Sequence, residues 1–221
     1  MERPEASEQE DDRANEQARA LRRYMFSFLV PLWFVPGVAD WFCHRRSKIE
    51  TTSGTHESLT HALMMGVVGV PITLAMLFEI NALVIASAVG AFFVHEGITI
   101  WDVAYADGRR DVTPFEQHVH SFLEVLPLTA ASALICMRPK QFAALFGRGD
   151  EPPRWGLEAK KPPLSPAYIA AVLSSVAAFV ALPYGEEFVR GFRVDHTILP
   201  HPSTVEDERQ SGSRTSGPTA G

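Results

Sequence analysis

His61–His95 reads HALMMGVVGVPITLAMLFEINALVIASAVGAFFVH, and between its two terminal histidines the only ionisable side chain is Glu79. A run this apolar is long enough for both legs of a membrane hairpin and too long for most soluble helices. The turn Glu79-Ile80-Asn81 divides it. The legs are therefore predicted to be antiparallel neighbours, one from about His56-Glu57 to Phe78 and the other from Ala82 to about Trp101.

Three more apolar runs flank this hairpin. Met25 to about Cys43 carries Trp33, Trp41, Pro31 and Pro36 and a single acid, Asp40; Pro36-Gly37 is expected to kink it. Thr113-Pro114-Phe115-Glu116 has the pattern of a helix start, with a capping threonine, proline in the first turn and glutamate three residues after the cap. That helix is expected to run to Met137. A fifth run, Ala167 to about Pro183, either spans or lies flat. The reading is an all-α polytopic membrane bundle of four to five transmembrane helices, placed in an inner or cytoplasmic membrane. Residues 1–24 are expected to be a polar disordered tail and 25–138 a four-helix membrane domain. Residues 139–165 read as a Pro-rich polar connection, 166–186 as the fifth helix and 187–221 as a disordered tail.

Composition narrows the function classes. The chain has 221 residues, 20 Lys and Arg against 26 Asp and Glu, and a net charge of −6. No basic excess offers itself to nucleic acid. The two cysteines, Cys43 and Cys136, form no CxxC pair, which disfavours a disulfide scaffold or thiolate zinc site. No P-loop, GxGxxG or GxSxG occurs. No cleavable signal peptide is expected, because an acidic polar leader precedes the first apolar run.

Six of the 8 histidines, His44, His56, His61, His95, His118 and His120, fall at span ends that alternation places on one membrane face. Residues four apart on a helix differ by about 40° in direction. Asp40 and His44, Glu57 and His61, Glu116 and His120, and His120 and Glu124 have that spacing; His95 and Asp102 are seven apart. Each of four helices thus offers a carboxylate and a histidine at similar depth, which is how bundle di-metal sites are assembled. Candidate ligands are His44, His56, His61, His95, His118, His120, Asp40, Glu57, Asp102 and Glu116. Mixed oxygen and nitrogen donors favour iron or manganese, with zinc an alternative. Solvated interface residues are the competing account, weakened because ionisable groups near an apolar boundary are costly. His196 and His201, near the tail, are set aside.

His56-Glu57-Ser58-Leu59-Thr60-His61, His118-Val119-His120 and His120-Ser121-Phe122-Leu123-Glu124, with His44 and His95, resemble the histidine-rich membrane di-iron family of fatty-acid hydroxylases and desaturases. The likeness covers residues 40 to 124; the last stretch is similar to an H-x-F-x-E segment of plasmanylethanolamine desaturases. The chain has no adjacent His-His pair and fewer histidines than that family uses, so carboxylates would have to make up the set. The resemblance implies two irons, O₂ activation, a membrane lipid as substrate and an external electron donor.

Weaker patterns carry less. His56 and His61 are one residue too far apart for HExxH, and about 140° separates them on a helix. Glu186-Glu187 with Arg190 lacks prenyl-protein protease spacing and reads as charge following a span. Arg45, Arg46, Arg109 and Arg110 read either as a positive-inside marker or, for Arg45, Arg109 and Arg110, as a clamp for a lipid phosphate or carboxylate. The function expected is a metal-dependent, lipid-modifying oxidoreductase. The alternatives are a non-catalytic membrane protein with metal- or partner-binding loops, and a membrane metal-dependent hydrolase.

Overall fold

Local chemistry sets the helix boundaries. The Thr113 side chain accepts a hydrogen bond from the Glu116 amide at 3.2 Å, as its capping pattern requires. Asn81 accepts from Val84 N–H at 3.2 Å and Ser165 from Tyr168 N–H at 3.2 Å, opening two more helices. The first long helix ends where Lys48 turns left-handed at φ 55°, and its amide bonds back to the His44 carbonyl.

The structure, a computed structural model, describes residues 4–198. It is all-helical. Helix α1 (Pro4–Tyr24) continues through a π-helical turn, Met25–Leu29, into α2 (Val30–Ser47). A short 3-10 turn leads to α3 (Gly54–Leu77), then α4 (Ala82–Ala106), α5 (Pro114–Met137) and the short α6 (Pro139–Ala144). Helix α7 (Pro166–Val176) passes through a second π-helical turn, Ala177–Ala181, into α8 (Leu182–Ile198). Among the described residues, five helices are long and apolar enough to cross a membrane: Asp12–Ser47, Gly54–Leu77, Ala82–Ala106, Pro114–Met137 and Pro166–Val194.

The fifth run therefore has the length to span, and its helix continues past residue 186 to Ile198. The leader is helical from Pro4, where the sequence reading has a disordered tail. In both segments helix continues outward from an apolar span, whose turns remove the nucleation cost for the polar residues beyond. Residues 199–221, with His201, lie outside the described residues, as does the His196 side chain.

Helix α3 packs on α4 as an antiparallel hairpin partner, α4 on α5, α5 on α2, and α8 on both α3 and α2, closing a ring. Large apolar side chains such as Val35, Phe93, Ile100, Phe122 and Leu182 point outward, the surface expected of a bundle solvated by lipid. Inside, the ring has two storeys. One end is apolar, packed from Phe26, Leu29, Trp33, Val68, Ile85, Leu126 and Leu134. The other buries Asp40, His44, Glu57, His61, His95, Asp102, Glu116 and Glu187.

The polar connection after α6 folds over the apolar end. Glu79 N–H bonds to Glu158 O at 2.8 Å, Lys160 N–H to Leu77 O at 3.0 Å and Asn81 Nδ2 to Gly156 O at 2.7 Å. It ties down the α3–α4 turn by meeting the backbone groups left free there.

Candidate metal centre

His44, near the end of α2, is fully buried and stands at the centre of the polar storey. Its Nδ1–H donates to Glu187 Oε2 of α8 at 3.0 Å. Its Nε2 makes no hydrogen bond, yet faces Asp40 Oδ1 at 3.4 Å, Glu116 Oε1 at 3.7 Å and Glu57 Oε1 at 3.9 Å. A neutral ring donating through Nδ1 carries its lone pair on Nε2. That lone pair would then look onto three carboxylates, an arrangement that demands a cation, either a second ring proton or a metal ion.

His61 of α3 stacks on His44 with ring centroids 4.6 Å apart, and its Nε2 pairs with Asp102 Oδ2 of α4 at 3.0 Å. Thr60 Oγ1 also donates to Asp102, which fixes the carboxylate. The Nδ1 of His61 is buried without a partner. His120 of α5 reaches across to Asp40 Oδ1 at 2.8 Å, and the Tyr184 hydroxyl of α8 donates to Asp40 Oδ2 at 3.2 Å. Among the described residues, three trios bring ligand atoms within 4.8 Å of one another: Asp40, His44 and His120; His44, His61 and Glu187; Glu57, His61 and Asp102. They share His44 and His61 and so form one continuous cluster.

Arg110, in the loop before α5, closes the aqueous side. Its Nε lies 3.1 Å from both Glu57 oxygens, one of its terminal nitrogens also bonds Glu57, and it meets Glu116 Oε1 at 2.7 Å. Burial works against its charge, but the bonds to Glu57 and Glu116 outweigh it and hold the guanidinium above its ordinary pKa. Among the described residues, Asp40, Glu57, Asp102, Glu116 and Glu187 are thus buried together with the guanidinium of Arg110. The remaining negative charge calls for further cations, either protons on the histidines paired with these carboxylates or bound metal.

Most of the ligand candidates from the sequence meet here, and two do not. His118 is exposed, edge-on to Phe122 at 5.2 Å. His56 stacks on Tyr105 at 3.8 Å. The reason is helical geometry: His118 is two residues from His120, about 200° around the helix, and His56 lies about 100° from Glu57. His95 is buried beside the cluster, its Nδ1 3.5 Å from Glu96 Oε1 and without a hydrogen bond. With Asp40, His61, Asp102, His120 and Tyr184 it lines a cavity of about 30 Å³, room for about one water.

The arginines do not form a free clamp. Arg45 pairs with Glu186 at 2.8 Å, Arg109 lies over the Tyr105 ring at 3.9 Å, and Arg110 is spent on the protein's own carboxylates. Sequence reasoning missed Glu187 and Tyr184. Their three-residue spacing on an apolar helix was the available signal.

A polar cleft borders the cluster and an apolar groove lies next to it. A polar cleft of about 1070 Å³, lined by Glu57, Asp102, Arg110, His120, Glu96 and Glu124, opens toward water. An apolar groove of about 240 Å³ between α2, α3 and α7 includes Trp33, Phe34, Ile72, Val172 and Met65, and Met65 also lines the small cavity beside His61.

No family model, curated protein or solved structure matches the chain. Among the described residues the chain itself presents five long apolar helices and buried His, Asp and Glu groups able to bind metal.

Proposed function

We propose that the chain is an integral membrane metalloenzyme whose buried cluster holds two redox-active divalent ions, iron or manganese, and oxidises the apolar chain of a membrane lipid. The observation that carries this reading is the unpartnered Nε2 of buried His44, aimed at carboxylates from three helices while Nδ1 is held by Glu187. A carboxylate gripping the far nitrogen of a ligating histidine fixes its tautomer and strengthens it as a ligand. Asp40, Glu57, His61, Asp102 and His120 complete a mixed nitrogen and oxygen set that suits iron or manganese. When bound, the ions would supply O₂ activation and electron transfer.

The chain's own residues supply the rest. Glu187, Thr60 and Tyr184 orient His44, Asp102 and Asp40. Arg110 holds Glu57 and Glu116 against the cleft. The groove past Met65 admits a lipid chain from the bilayer, and the polar cleft offers an approach for an external electron donor.

Elemental analysis of detergent-purified protein at pH 7.5 tests the reading. Two iron or manganese ions per chain are expected; His61→Ala should lose metal, and His118→Ala should retain it. One zinc per chain would favour a hydrolase. Protein without metal that takes up no Fe²⁺, Mn²⁺ or Zn²⁺ would leave protonated histidines as the balancing cations and end the catalytic reading.

A further inference from the structure

The opposite end of the bundle holds a second polar site, independent of the metal centre. Arg19 and Arg22 of α1, Glu79 of the α3–α4 turn, Arg138 after α5, and Lys160 and Lys161 of the connection line a pocket of about 220 Å³. Five cations therefore face one acid. Glu79 is already engaged, accepting from the Lys161 amide at 2.6 Å. Arg22 donates to Pro162 O at 3.0 Å, which anchors the wall.

Lys160 is the telling residue. It is 5% exposed, yet among the described residues its ammonium has no carboxylate or carbonyl partner. It lies only over the Phe26 ring, 5.7 Å from the centroid. An ammonium on a largely buried side chain that opens only into this pocket, beside Arg22 and Arg138, is arranged for an anion. Burial, with Arg22 and Arg138 adding to it and Glu79 partly opposing it, pushes the ammonium down to about 8, and a bound anion would reverse that.

Position identifies the anion's source. The pocket lies where the first apolar span begins, where α3 and α4 turn and where α5 ends. That is the depth of lipid headgroups. Tyr24 and Phe28, two and six residues beyond Arg22, stack at 5.4 Å and are exposed, as aromatic residues at such boundaries are. Basic pockets between spans are suited to anionic headgroups.

We propose that the pocket formed by Arg19, Arg22, Arg138, Lys160 and Lys161 binds the phosphate of an anionic membrane lipid. Arginine supplies paired N–H donors to phosphate oxygens and lysine a point charge.

The test uses the full chain in nanodiscs of phosphatidylcholine with or without phosphatidylglycerol, with retained lipid weighed by native mass spectrometry. Wild type should retain phosphatidylglycerol over phosphatidylcholine by about tenfold or more, the scale of one or two charged hydrogen bonds. The Arg138→Gln/Lys160→Gln double variant should lose that preference. Glu79→Gln keeps an acceptor for the Lys161 amide while removing the acid, so it should strengthen retention without touching a buried cation. Equal retention of both lipids by wild type would overturn the proposal. So would stabilisation of detergent-solubilised protein by inorganic phosphate with no preference among lipids, since the site would then serve a free anion.

Discussion

At the scale of single residues, the tautomer of His44 decides what its outward nitrogen can do. Glu187 can only accept, so Nδ1 keeps its proton and Nε2 is left for a cation. Glu187→Gln retains an oxygen acceptor of nearly the same shape but removes the charge. Metal affinity should weaken by roughly 10- to 100-fold, the usual cost of altering a residue that orients a ligand. Competitive titration against a chelator measures this, and unchanged affinity would show that Glu187 does not orient a ligand. Lys160 gives a residue-scale prediction at the other end. Its ordinary value is 10.5 and burial brings it to about 8 in the folded chain. Between those values the unfolded chain binds more protons, so stability rises with pH; below about 8 the burial cost is fully present. In detergent free of phospholipid, Lys160→Met should raise the thermal midpoint at pH 7 and flatten its rise between about pH 8 and 10. A variant whose midpoint climbs with pH as steeply as wild type would exclude Lys160 as the titrating group.

At the scale of elements, Arg110 joins the loop before α5 to α3 through Glu57 and to α5 through Glu116, with its side chain 3% exposed. Removing it strands two buried carboxylates, so Arg110→Met should destabilise the fold by about 3–5 kcal/mol. Arg110→Lys should recover only part, because an ammonium cannot reproduce the forked contact. Chemical denaturation in mixed micelles with bound metal removed separates this from a loss of ligation; equal stability of wild type and Arg110→Met would reduce the loop to a passive connector. The elements themselves were largely legible: the α3–α4 hairpin followed from His61–His95, and the start of α5 from Thr113-Pro114. Pairs four apart placed Asp40 with His44 and Glu57 with His61 on inward faces. The same spacing, applied strictly, would have removed His118. Glu187 was hidden for another reason. Its partner His44 is 143 positions away, and no local period reports which end of the fifth helix meets the end of the first. The π-helical turns at Met25–Leu29 and Ala177–Ala181 carry no proline and left no readable mark.

At the scale of the whole molecule, the two-storey interior assigns one chemistry to each end of the bundle and makes membrane topology a strict test. His44 of α2, Glu57 of α3, Asp102 of α4 and Glu116 of α5 can meet only if those four helix ends share a face. Arg46 at the end of α2 and the loop bearing Arg109 must then lie on one side, and Glu79 and Arg138 on the other. Five spans also place the two ends of the described chain on opposite sides, so Glu16 should group with Glu79 and Val194 with Arg46. Single cysteines at these positions, with Cys43 and Cys136 replaced by alanine, can be labelled from each side of sealed vesicles by an impermeant maleimide. Replacing buried Cys43 and exposed Cys136 leaves no native thiol to react. Two groups of opposite accessibility are expected: Arg46, Arg109 and Val194 against Glu16, Glu79 and Arg138. Absolute orientation is a separate outcome, since arginines stand at both ends and charge alone does not choose between them. Labelling of Arg46 and Arg109 from opposite sides would separate α2 from α4 across the bilayer, and neither the buried cluster nor the basic pocket at the far end could then exist as assembled here.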